Sequence, residues 1–163
     1  MAIEVGSKAP DFTLKTKTAE GIKEVKLSDN FGKKQTILLF FPLAFTSVCT
    51  KEMCTATEDY EAFSNLDAAV YGISSDSPFA LDAWAKASHM SITLLGDMDS
   101  SVIKSYGVLA AERFGFPGIA MRSAFIVNKE GIITYKWVGS ELSDFPDFDA
   151  IKNALKTGGT QKT

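Results

Sequence analysis

The chain has 163 residues, with 17 Lys and Arg against 20 Asp and Glu, a formal net charge of -3 and 45% hydrophobic residues. That length buries about two thirds of the unfolded surface without a disulfide staple, and no Pro-, Gly- or Ser-rich linker divides it, so one domain over residues 1–163 is expected. The charge balance gives no reason to seek a phosphate backbone, which argues against a nucleic-acid binder.

In chain order, Met1 to Lys8 lacks the basic start and apolar core of a secretory signal, so a cytoplasmic protein is expected. Phe12-Thr13-Leu14 and Val25-Lys26-Leu27, separated by Ala19-Glu20-Gly21, predict a small hairpin ahead of the main sheet, and 28–32 a turn. Thr36 to Phe41 is apolar at nearly every position, the pattern of a strand covered on both faces. The apolar run from Ile37 to Phe45 is interrupted by Pro42 and falls short of the about 20 residues a bilayer span needs, so no membrane association is expected. Cys49, Met53, Ala56, Tyr60 and Phe63 recur at helical spacing between Val48 and about Ser64.

Strands are then predicted at 68–74, 92–95 and 123–127. A helix starts at Ser77-Pro78 and runs to about Ser88, and a short one spans Asp99 to Tyr106. Asn128-Lys129-Glu130-Gly131 turns the chain into a strand over 132–137, a last helix covers about 147–155, and residues 157–163 are expected to fray. Strand-helix alternation ending in a hairpin and a helix predicts an α/β fold: a central mixed sheet with helices on both faces, compatible with a thioredoxin-like arrangement.

The chemistry concentrates where the apolar strand meets the helix. With Thr46 as N-cap, its hydroxyl is expected to accept a hydrogen bond from the backbone N–H of Cys49, at the third helical position. Free N–H groups and the positive end of the helix dipole favour an ionised thiol there. Making an ordinary thiol mostly ionised at neutral pH takes about 3 kcal/mol, more than one helix terminus supplies. A cation is therefore expected nearby, and the only arginines are Arg113 and Arg122. Arg122 starts an apolar strand; it either serves the thiol or snorkels at the sheet edge.

Pro42-Leu43-Ala44-Phe45-Thr46-Ser47-Val48-Cys49 matches the Pro-x-x-x-Thr-x-x-Cys signature of the peroxiredoxins. Residues 122–127 are similar to that family's catalytic-arginine strand, and 6–14 resemble its N-terminal segment. The resemblance implies reduction of hydrogen peroxide, organic hydroperoxides or peroxynitrite with no metal, haem or flavin cofactor. It implies that Cys49 attacks the peroxide and becomes a sulfenic acid, with Thr46 and Arg122 binding the peroxide. Pro42 would shield the site from water and Glu52 would orient the arginine; read alone, Glu52 is an ordinary exposed helix acid.

Cys54 is the only other cysteine, so the sulfenic acid either condenses with it or awaits an external thiol. On a regular helix a separation of five residues puts the Cα atoms roughly 8–9 Å apart, beyond the about 7 Å a disulfide tolerates, so a Cys49–Cys54 bond requires the helix start to unwind. Thr50, Thr55 and Thr57 are weak helix formers that ease unwinding. The Cys-x-x-x-x-Cys spacing resembles the Q-type (bacterioferritin-comigratory) peroxiredoxins, which use it as a resolving pair. Residues 40–46 look more like the E-type, many of which lack a resolving cysteine. No cysteine follows Cys54, so a C-terminal resolving cysteine is not expected. The resemblance implies thioredoxin or a glutaredoxin-like protein as reductant, and a monomer or homodimer.

Other residues carry weaker signals. His89, the lone histidine, reads as a loop residue, and Trp84 and Trp137 as packing residues. Phe114, Phe116, Pro117 and Met121 form an apolar loop before Arg122 that lines the entrance, makes a subunit contact or packs in the core. Two cysteines and one histidine are too few for a zinc site. A thioredoxin-like disulfide reductase would need Cys-x-x-Cys, which is missing. A redox-responsive interaction module without turnover is the remaining alternative.

Overall fold

The structure, a computed structural model, describes residues 2–110, 115–141 and 143–157. Its strands are β1 (Thr13–Thr18), β2 (Gly21–Lys26), β3 (Gln35–Phe40), β4 (Ala68–Ser74), β5 (Thr93–Gly96), β6 (Ser123–Val127) and β7 (Ile133–Val138). Its helices are α1 (Ser47–Glu58), α2 (Tyr60–Asn65), α3 (Pro78–Ser88), α4 (Ser101–Ser105) and α5 (Phe148–Lys156), with a 3-10 turn at Leu27–Asn30. All seven strands form one mixed sheet in the order β2-β1-β5-β4-β3-β6-β7. The predicted N-terminal hairpin forms from β1 and β2, and it also joins the sheet: β1 pairs antiparallel with β5 through Lys15 and Gly96, so the hairpin becomes the sheet's edge.

The centre is β3, parallel to β4 and antiparallel to β6. Every residue of β3 is buried, because its apolar side chains supply both faces of the sheet. Ile37 and Leu39 enter the layer of α1, α2, α3 and α5, with Met53, Phe63, Trp84 and Ile151. Leu38 and Phe40 face the opposite layer, with Ile103 and Tyr106 around α4 and Phe12 and Leu27 from the N-terminal segment. Helices thus cover both faces, as the α/β pattern predicts, and the arrangement is thioredoxin-like.

Local chemistry sets the helix boundaries. Ser77 caps α3 by accepting the N–H of Ala80 at 3.1 Å, with Pro78 in the first turn, and His89 closes the helix at φ 57°. The long helix expected from 48 to 64 is broken at Asp59. Thr55 Oγ1 donates back to the Lys51 carbonyl at 2.8 Å, a bond that bends helices, and the Asp59 carboxylate is held by Lys152 of α5 at 3.1 Å. Of the predicted tail, residues 158–163 lie outside the described residues, as do Arg113 and Phe114.

Candidate active site

Thr46 is the N-cap of α1, with extended backbone at φ -98° and ψ 154°, and Cys49 is the third helical residue, fully buried. The capping bond expected from Thr46 is not made. Its hydroxyl instead donates backwards to the Leu43 carbonyl at 2.9 Å. The loop shape explains this: Phe45 takes a left-handed φ of 66°, which brings the Leu43 carbonyl round to the hydroxyl.

Arg122 does not snorkel. It immediately precedes β6, which lies between β3 and β7 rather than at an edge, and its side chain is buried. Its Nη1 donates to Cys49 Sγ at 3.1 Å and to Glu52 Oε1 at 2.7 Å. Register carries the arginine there: Ser123 sits beside Phe40, so Arg122 arrives next to the end of β3 where α1 begins.

Glu52 is fully buried, not the exposed helix acid its sequence context suggests. Burial pushes its carboxyl up to about 7, while the charge and hydrogen bond of Arg122 pull it back. Oε2 finds no hydrogen-bond partner among the described residues. For Arg122, burial acts to lower the pKa, but Glu52 and Cys49 outweigh it and hold the guanidinium above its ordinary value. The result is a buried cation bridging a carboxyl and a sulfur.

These groups meet at a small cavity of about 120 Å³ lined by Pro42, Leu43, Thr46, Cys49, Phe116, Ile119 and Arg122. It has room for a few heavy atoms beside the sulfur. Thr46 contributes an oxygen whose proton is already committed, Arg122 contributes donors, and Pro42 and Ile119 are buried apolar walls. Phe116, for which sequence left an entrance, a subunit contact and core packing open, is 55% exposed at the mouth, so it does not pack in the core. Ile119 was not singled out in sequence; its signal was only its place between Gly118 and Arg122. Among the described residues, no group of three or more His, Cys, Asp or Glu is placed to hold a metal ion.

Cys54 lies apart from Cys49 on the same continuous helix, half-buried, and both are free thiols. Its Sγ is 3.7 Å from the Ser88 carbonyl at the end of α3. On the same face of α1, Thr50 Oγ1 accepts from Trp84 Nε1 at 3.0 Å and Thr57 Oγ1 accepts from the Ser91 N–H at 3.2 Å. Residues 50, 54 and 57 follow helical spacing, so α3 and its exit loop clasp one stripe of α1.

A buried thiol at a helix start, bridged by arginine to a carboxyl on a thioredoxin-like sheet, defines a class of thiol-redox protein. The AhpC/TSA family model matches residues 5–136, and the chain belongs to that family. It is 40% identical over 140 residues to the putative peroxiredoxin bcp of Coxiella burnetii, covering 84% of this chain and 89% of that protein. It is 37% identical over 143 residues to the chloroplastic 2-Cys peroxiredoxin BAS1 of Hordeum vulgare, covering 83% of this chain and 66% of that protein. The match spans about half the length of the Spinacia oleracea and Arabidopsis thaliana counterparts, 52% in each. Among solved structures, reduced Plasmodium vivax 2-Cys peroxiredoxin superposes with a TM-score of 0.83 at 29% identity, covering 93% of this chain and 80% of that one.

Proposed function

We propose that the chain is a thiol-dependent peroxidase that reduces hydrogen peroxide and organic hydroperoxides through Cys49. The observation that carries this reading is Arg122 Nη1 at 3.1 Å from Cys49 Sγ, at a cavity shared with Thr46 and Pro42. The Cys49 thiolate attacks the terminal peroxide oxygen. The S–O bond forms as the O–O bond breaks, sulfur is oxidised by two electrons to a sulfenic acid, and the leaving alkoxide or hydroxide takes a proton. Arg122 stabilises charge on the separating oxygens, Thr46 accepts the hydrogen bond of the peroxide O–H, and Glu52 holds the guanidinium in place. Pro42 keeps water from the sulfur.

Cys54 then resolves the intermediate: its thiol displaces water from the sulfenic acid to give a Cys49–Cys54 disulfide, which thioredoxin or a glutaredoxin-like dithiol reduces. This step requires α1 to unwind and its clasp with α3 to open, because the two cysteines sit on one regular helix. Likeness to the Coxiella burnetii bcp protein supports this route. A second reading, resolution by an external thiol, is favoured by the contact that holds Cys54 toward Ser88. We place the protein in the cytoplasm, as a monomer or homodimer, on the sequence reading alone. Thiol-dependent peroxide consumption tests the activity: wild type turns over and Cys49→Ser does not. Equal slow consumption by both would refute it.

A further inference from the structure

We propose that Asp76 is a positioning residue for the peroxide reaction, acting through the Leu43–Ala44 peptide on the hydroxyl of Thr46. The inference rests on the reading of Cys49 as the reactive thiol. Strands β3 and β4 run parallel and end side by side, the Phe41 N–H still donating to the Ile73 carbonyl at 3.0 Å. Pro42 has no N–H to continue the ladder, so the chain leaves the sheet there. Two residues later the Ala44 N–H donates to Asp76 Oδ2 at 2.8 Å. Among the described residues, this is the one hydrogen bond tying the 42–46 loop to a residue outside that loop and α1.

The carboxylate is itself held firmly. Ser74 Oγ donates to the same Oδ2 at 2.7 Å and lies 3.2 Å from the Asp76 N–H. The turn after β4 also packs closely on β5, where a Cβ at Gly96 would stand 2.7 Å from the Asp76 carbonyl oxygen. A bulkier residue at 96 would push the turn, and the carboxylate with it, off this position.

Ala44 N–H and Leu43 C=O belong to one peptide unit. Its N–H is held by the Asp76 carboxylate and its C=O receives the Thr46 hydroxyl proton. A carboxylate on the N–H enriches the carbonyl, so each bond strengthens the other and the Thr46 proton stays pointed away from the cavity. Thr46 then faces a substrate as acceptor only. The peroxide oxygen under attack carries one O–H, which Thr46 Oγ1 accepts, while the peroxide oxygens accept from Arg122. With the relay broken, the Thr46 proton turns into the cavity and opposes the peroxide proton.

A double-mutant cycle tests this, read as the rate of Cys49 oxidation by hydrogen peroxide and, in parallel, of its alkylation by iodoacetamide. Asp76→Ala should slow the peroxide reaction about tenfold, the size of one charge-assisted hydrogen bond, and leave alkylation within twofold of wild type. Asp76→Asn, whose amide oxygen accepts from Ala44, should restore most of the rate. In a Thr46→Val background, Asp76→Ala should have no further effect, since its route is gone. Asp76→Leu, of similar chain length, serves the same cycle if the alanine variant does not fold. The proposal is overturned by an unchanged peroxide rate, by an equal loss in the Thr46→Val background, by proportional loss of alkylation, or by Asp76→Asn as slow as Asp76→Ala. A wild-type Cys49 inert to peroxide would bring down the functional reading as well; a reactive wild type indifferent to Asp76 would bring down this proposal alone.

Discussion

Removing Arg122 should reveal two separable roles of one guanidinium. Its Nη1 reaches Cys49 Sγ at 3.1 Å and Glu52 Oε1 at 2.7 Å, with both side chains of the ion pair buried. Deleting one preorganised donor from a site of developing charge typically costs about 100- to 1,000-fold in rate. Deleting one partner of a buried ion pair costs about 3–5 kcal/mol of stability, because the other charge is left in a low dielectric. Arg122→Ala should therefore lose both. The stability loss depends on pH. Glu52 has a folded pKa of about 7, above its ordinary 4.5, so its contribution is complete below 4.5 and is lost as pH rises through about 7. Without the arginine its carboxyl rises further, and the gap between variant and wild type should widen from acid toward alkaline pH. Pairing Arg122→Met with Glu52→Leu removes both charges and should recover most of the stability without the rate. Urea unfolding at several pH values and stopped-flow peroxide oxidation read the two quantities separately. Recovery of the peroxide rate in the double variant, or an Arg122→Ala rate within threefold of wild type, would show that the guanidinium does not act on the peroxide.

Glu52→Gln keeps the hydrogen bond to Arg122 but cannot ionise. The peroxide rate of wild type should fall as pH drops through about 7, where Glu52 takes up its proton, and the variant should lack that inflection; superimposable pH–rate profiles would remove Glu52 from the reaction. Thr57→Val and Thr50→Val each delete one bond of the clasp between α1 and α3. At about 1 kcal/mol per bond, each should speed Cys49–Cys54 disulfide formation about fivefold while leaving the first oxidation unchanged, by rapid-quench alkylation. Slower resolution in both would show that the clasp does not gate unwinding.

The strand at 68–74, the start of α3 at Ser77-Pro78 and the strand at 123–127 were legible because hydrophobic period and capping chemistry are local. The pairing of β1 with β5 was not, since it depends on a single bridge between distant residues. Neither was the break at Asp59, which involves Lys152 from α5. Cys49, Thr46 and Pro42 stand in one contiguous motif, and the cavity brings them together with Arg122, 73 positions beyond the thiol. The direction of the Thr46 hydroxyl followed from the φ of Phe45 and reversed the expected cap. Asp76 was not legible because Ser77-Pro78 beside it carries a strong helix-start signal that accounts for the local sequence by itself. Its signal was an acidic residue just past the end of the strand beside β3, where parallel sheets place their binding loops.

Whether peroxide oxidises Cys49 and Cys54 then resolves it is read from the mass of non-reduced protein after one equivalent of hydrogen peroxide. Wild type should give a Cys49–Cys54 disulfide, Cys54→Ser a trappable sulfenic acid at Cys49, and Cys49→Ser no oxidation. A stable Cys49 sulfenic acid beside a free Cys54 thiol in wild type would rule out the resolving step, and oxidation at Cys54 with Cys49 untouched would mean that Cys49 is not the reacting thiol.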